Sequence, residues 1–238
     1  MRIFTIIFFA TCSATLAQQP VKKDISVTFS LIGWGQAIES IEYRTGGKME
    51  KITDVPLFDK SKPQKYNGSP DIGFFLPKPE IDAEGNPIPA AVASIPTNAE
   101  RVLILLVSDG NTRYRAIVIP DDIAAVPGGK ALLINLCETS VAVRTNKTDS
   151  FLLEENKTQL VSPSKNSLTL QMELGVKNLD EWYKVESNFI PLPDKYQTLV
   201  FFLQSQSEHF TNIDGNITKP IQIVVLRELV EKTAEKDD

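Results

Sequence analysis

Residues 101–136 read RVLILLVSDGNTRYRAIVIPDDIAAVPGGKALLINL, and the fold class turns on the first half of that stretch. Val102 to Val107 are six apolar residues without interruption, closed by the turn formers Asp109-Gly110-Asn111. A strand with one wet face alternates apolar and polar residues; an unbroken run bounded by turns is the pattern of a strand covered on both faces. Asp109-Gly110 is a tight-turn signal, so Val102 to Val107 and Tyr114 to Ile119 are expected to pair as a hairpin. Pro120 to Val126 reads as one helical turn with an acidic start at Asp121-Asp122, stopped by Pro127-Gly128 and leading into a strand from Ala131 to Leu136. A second continuous apolar run, Leu199 to Leu203, is the expected central partner of Val102 to Val107.

Outward from this centre, short strands follow one another. Ile25, Val27, Phe29 and Leu31 alternate with Ser26, Thr28 and Ser30, the period of a strand with one solvated face. Ile41 to Tyr43 and Met49 to Val55 flank a turn at Thr45-Gly46-Gly47. After Cys137 come Val141 to Arg144, Phe151 to Leu153, Gln159 to Ser162, Leu168 to Leu174, Trp182 to Phe189, Thr198 to Gln204 and Ile221 to Leu226. Between Asp54 and Ala99 lie Pro56, Pro63, Pro70, Pro77, Pro79, Pro87, Pro89 and Pro96. Proline removes a ladder donor, so this segment is expected to be a long extended excursion over the surface that supplies no central strand. The pattern predicts an all-β chain, an antiparallel β-sandwich of immunoglobulin-like or related type. Residues 18–230 are expected to form one sandwich-type domain, with a possible seam near 96–100, followed by a charged tail at 231–238.

The first seventeen residues carry one basic side chain, Arg2, an apolar block from Ile3 to Ala10, and the small residues Ser13, Ala14 and Ala17. These are the parts of a removable signal peptide, with a cut before Gln18. Cys12 raises the rival reading of a lipoprotein, although Phe9-Ala10-Thr11 makes a poor lipobox. Cleavage leaves 238 − 17 = 221 residues and 24 basic against 30 acidic side chains. Such a balance argues against nucleic acid and anionic membrane partners, and no later run is long enough to span a bilayer. Cys137 is then alone, expected to be a buried small apolar side chain, and the fold is held by its core without a disulfide.

Candidate chemistry is sparse. His209 is the one histidine, and Ser207-Glu208 and Phe210-Thr211 around it form no nucleophile motif. Zinc would find few nitrogen or sulfur ligands. Calcium has the oxygen donors Asp109, Asn111, Asp121 and Asp122, if the hairpin gathers them at one end of a sheet, but turn chemistry alone explains Asp and Asn there. Glu154-Glu155 and Asp121-Asp122 are sequence neighbours, and neighbours on a strand point to opposite faces, which is the wrong geometry for paired acid and base. No catalytic residue, metal or cofactor is therefore assigned. The sequons at Asn67, Asn146, Asn156 and Asn216 mark polar turns. Trp34, Tyr66, Trp182 and Tyr183 are the candidate ligand-binding residues, a flat aromatic platform for a sugar ring; the competing reading places them in the core and its rim.

The order of apolar strand, Tyr114-Arg115, Ile119-Pro120-Asp121-Asp122, Pro127-Gly128-Gly129, Leu133-Ile134-Asn135-Leu136 and Val141-Ala142-Val143 resembles a group of small exported bacterial β-sandwich proteins with no assigned activity. The resemblance covers roughly residues 100–205 and implies a β module in the cell envelope, with no catalytic or ligand residue carried over. Together these observations lead to the expectation of a non-enzymatic exported protein, periplasmic or extracellular, that acts as a binding or assembly component toward a protein or glycan partner. The alternatives are a carbohydrate-binding module and a divergent hydrolase.

Overall fold

The computed structural model describes residues 23–57, 59–110, 112–178, 181–204 and 221–230. Every regular element among them is a β-strand. The first eight are β1 (Ile25–Trp34), β2 (Ile38–Thr45), β3 (Lys48–Val55), β4 (Gln64–Gly68), β5 (Asp71–Phe75), β6 (Ala91–Ser94), β7 (Arg101–Ser108) and β8 (Tyr114–Pro120). The second eight are β9 (Ala131–Asn135), β10 (Val141–Thr145), β11 (Asp149–Leu153), β12 (Thr158–Val161), β13 (Thr169–Asn178), β14 (Glu181–Pro191), β15 (Tyr196–Gln204) and β16 (Ile221–Leu229).

These strands form four sheets of four: sheet I in the order β4-β1-β7-β8, sheet II β3-β2-β5-β6, sheet III β12-β9-β15-β16 and sheet IV β11-β10-β13-β14. The second eight strands repeat the order of the first eight without exception. Pairing is antiparallel except for β1 with β7 and β9 with β15, which are parallel in both halves.

Three apolar layers hold the sheets together. Phe29, Leu31, Tyr43, Phe74, Ile104 and Leu106 bring sheets I and II into one core, and Leu133, Val143, Met172, Leu174, Val200 and Phe202 do the same for sheets III and IV. The third layer joins the backs of sheets I and III through Ile32, Leu103, Leu105, Ile134, Leu199 and Phe201. The order through the molecule is therefore II, I, III, IV.

This stack explains the opening sequence signal. On β7, Val102, Ile104 and Leu106 enter the first core while Leu103 and Leu105 enter the third; on β15, Val200 and Phe202 enter the second core while Leu199 and Phe201 enter the third. A strand that alternates between two dry faces has no place for a polar residue. The two runs do meet, but across layers and not as hydrogen-bonded neighbours.

The expected hairpin is present, with Val102 opposite Pro120 and Ser108 opposite Tyr114. The expected helical turn is a single closed turn: the Val126 N–H donates to the Asp122 carbonyl at 2.9 Å and the Ala125 N–H to Asp122 Oδ1 at 2.6 Å.

The Pro-rich segment departs most from expectation. It supplies β4, β5 and β6, and β5 is an internal strand between β2 and β6. Its prolines fall between strands, at Pro63, Pro70, Pro77, Pro89 and Pro96, so no ladder loses a donor. Residues 121–130 carry the chain from β8 of sheet I to β9 of sheet III. There Gly128 lies so close to the next connection that a Cβ on it would sit 1.9 Å from the Asp194 carbonyl oxygen.

Candidate binding site

The outward face of sheet IV carries an open surface depression. On β10, Val141, Val143 and Thr145 are buried, so Ala142 and Arg144 face out; on β13, Leu170, Met172 and Leu174 are buried, so Glu173 and Gly175 face out. Register sets these residues abreast: Leu152, Ala142, Gly175 and Lys184 form one row across the four strands, and Ser150, Arg144 and Glu173 form part of the next. The two smallest side chains of the first row sit on the two internal strands. The sheet therefore has a sunken middle, with Leu152 rising on the β11 side and Trp182 and Lys184 on the β14 side.

The result is an open trough of about 570 Å³, to which Ala142, Arg144, Leu152, Gly175, Trp182 and Tyr183 all contribute. Trp182 is 47% exposed, Tyr183 49% and Leu152 51%. A register shift between Leu174 and Gly175 gives β14 one extra residue, Val185, just after Trp182 to Lys184. Such a bulge adds twist and re-aims the strand end.

One end of the trough is charged. Glu173 accepts from Arg144 Nε at 2.6 Å and from Lys184 Nζ at 2.6 Å. Hydrogen bonds from Lys184 and then from Arg144 hold its carboxyl below the ordinary range. Among the described residues, two cations thus surround one ionised carboxylate, a local excess of one positive charge.

The four aromatic candidates do not form one platform. Trp182 and Tyr183 line the trough, but Trp34, at the end of β1, is half-buried against the layer between sheets I and III, with its ring 5.7 Å from that of Phe201. Tyr66, on β4, is buried in the first core and donates its hydroxyl to the Ser69 carbonyl at 2.7 Å. Burial, with Asp24 and Asp71 nearby, pushes its phenol pKa up.

A second cluster lies where the two halves meet. Asp121, buried, accepts from Lys60 Nζ at 2.6 Å and from Arg101 Nε at 3.1 Å; Glu228 on β16 accepts from Arg101 at 2.5 Å and from Lys60. Two cations and two carboxylates make this cluster neutral. Desolvation pushes Asp121 upward against the pull of Lys60 and Arg101. Glu228 is lowered, because hydrogen bonds from Lys60 and Arg101 outweigh its own desolvation. The acidic turn read from sequence is thus part of an ionic joint between the halves; a separate, exposed pair, Arg115 with Glu155 at 3.3 Å, lies toward the opposite end of β8.

The proposed calcium donors are not gathered. Asp109 sits at the turn of the β7–β8 hairpin and Asp121 at its open end, about 20 Å apart at the usual rise per strand residue. Among the described residues no three His, Cys, Asp or Glu side chains converge on a metal-sized site. Asn111 and His209 lie outside the described residues, as do Cys12 and the sequon at Asn216. Asn146 and Asn156 occupy left-handed turn positions, whereas Asn67 is within β4. Cys137 is buried, and burial pushes its thiol up to about 12.

No protein-family model matches the chain, and no curated protein matches it.

Of the sequence-derived candidates, Trp182 lies at the trough, and the residues that surround it carried no recognised signal. Ala142, Gly175 and Leu152 become neighbours only through the register of three strands. Gly175 did carry a signal: glycine at the end of an alternating run marks a bulge or a close approach.

Proposed function

We propose that this chain is an exported, non-enzymatic protein of the cell envelope that works by binding, with the trough on sheet IV as its ligand surface. The carrying observation is the pair of exposed apolar walls, Trp182 and Leu152, around a floor of Ala142 and Gly175. An outward sheet face with no partner ordinarily carries polar side chains, and contiguous apolar relief of this kind marks an interaction site. Export rests on the pattern of the first seventeen residues, and envelope residence on the resemblance of residues 100–205 to exported β proteins. The doubled arrangement of two four-stranded sheets supports immunoglobulin-like kinship for each half.

Co-sedimentation of the purified chain with isolated cell envelopes tests the assignment. Trp182→Ala and Leu152→Ser are expected to reduce the retained fraction at least about tenfold, the loss of roughly 1.4 kcal/mol, with the circular dichroism spectrum unchanged. Retention equal to the parent chain refutes it. A second reading, carbohydrate binding, is favoured by the half-exposed Trp182 ring beside the hydrogen-bonding Arg144 and Lys184. Glycan-array signal that disappears in Trp182→Ala would select it.

A further inference from the structure

The repeated topology allows the two halves to be compared position by position. β2 and β10 each end in Arg-Thr before a turn, as Arg44-Thr45 and Arg144-Thr145. The residue before each arginine is buried and pairs with a buried residue of the next internal strand: Tyr43 with Phe74, and Val143 with Leu174. One step further back, Glu42 pairs with Phe75, and Ala142 with Gly175. The floor of the trough is therefore the place that the first half fills with a carboxylate and a phenyl ring.

In the first half that ring lies across the outer face of sheet II. A Cβ on Gly73 would sit 3.3 Å from the Phe75 ring and 3.7 Å from the Pro89 Cβ, so aromatic ring and proline together cover the strand. In the second half both side chains are cut back to Ala142 and Gly175, and the uncovered space is bordered by the excess positive charge of Arg144 and Lys184.

We propose that the trough receives an extended polypeptide segment of a partner protein, which lays an aromatic side chain over Gly175 and a carboxylate beside Ala142, within reach of Lys184 and Arg144. This rests on the trough being the ligand surface. Charge complementarity selects a polypeptide over a neutral glycan: a sugar ring can stack on Trp182 but leaves the surplus cation unmatched. The first half shows, within the same molecule, the ring and carboxylate that such a face accommodates.

The test is backbone-amide and indole NMR on the full chain, titrated with defined probes. These are acetyl-Glu-Gly-Phe-Gly-amide, its Gln-for-Glu and Ala-for-Phe counterparts, and cellohexaose. The Trp182 indole and Gly175 amide signals are expected to shift saturably with the first peptide. Each counterpart should bind at least about tenfold more weakly. Gly175→Phe, which restores the first-half residue, should abolish the shift. A Cβ there would lie 3.2 Å from the Tyr183 carbonyl oxygen, so Ala142→Phe serves as a second variant that blocks the same floor from an existing Cβ. Equal affinity of the Ala-for-Phe peptide, or of the Gln-for-Glu peptide, overturns the proposal. Shifts with cellohexaose alone also overturn it while keeping the trough as ligand surface. No response of Trp182 to any probe overturns both.

Discussion

Phe201→Ala tests whether the layer between sheets I and III is a core in its own right. Phe201 is 0% exposed, its ring is 5.7 Å from the Trp34 ring, and it stands beside Leu103, Leu105 and Leu199 between the two halves. Truncating a fully buried phenylalanine costs about 3–5 kcal/mol in lost transfer energy and cavity. For a chain of this size each kcal/mol lowers Tm by about 2–4 °C, so a fall of about 6–20 °C is expected. Urea denaturation, followed by tryptophan fluorescence and by far-ultraviolet circular dichroism, measures it. The two probes should give one coincident transition in the parent chain, because Trp34 and Phe201 belong to different halves yet share this layer. A loss below about 1 kcal/mol would refute the reasoning, since exposed substitutions already reach about 0.5 kcal/mol. Two separate transitions, of which Phe201→Ala moves only one, would refute it as well. Phe189→Ala, at a residue 68% exposed, is the control expected to change little.

Two further outcomes follow from the joint between the halves. Gly128→Ala should be among the most destabilising single-methyl changes in the chain, because its Cβ would stand 1.9 Å from the Asp194 carbonyl oxygen and the backbone must move; thermal melting checks this, and an unchanged Tm contradicts it. Glu228, lowered by hydrogen bonds from Lys60 and Arg101 against its desolvation, contributes stability that is present above its ordinary titration range and is lost as pH falls through the depressed value. Asp121, raised by burial, acts in the opposite sense. Glu228→Gln should therefore lower stability at neutral pH and flatten its decline as the pH falls below the ordinary carboxylate range in urea titrations, and an unaltered acid slope would count against the joint.

Much of the fold was legible because strand signals are local. The alternation at Ile25 to Leu31 and the runs at Val102 to Val107 and Leu199 to Leu203 each report how many faces of a strand are dry. β4, β5 and β6 were not legible, since proline density was read over a window while proline acts at single positions, and here it brackets strands. The doubling of the fold left almost no trace in residue identity. Buried positions need only to be apolar, so Tyr43 and Val143, or Phe74 and Leu174, hold equivalent places without resembling each other. Of the candidate site, the rings were legible as residue types but not in location. Trp34 is carried by β1 to the layer between sheets I and III, while β14 leaves Trp182 at an edge.

The layer between sheets I and III uses the same sheet of each half, the pattern of contact that a symmetric dimer makes with its own copy. Here the copies are joined by residues 121–130, so their meeting is an intramolecular event with an effective concentration of order millimolar for a short connection. Dilution cannot separate them, and the two outward faces, II and IV, are free to diverge because only one copy of each is present. A true homodimer would have to display two identical troughs; this chain displays one, with its counterpart already filled by Phe75.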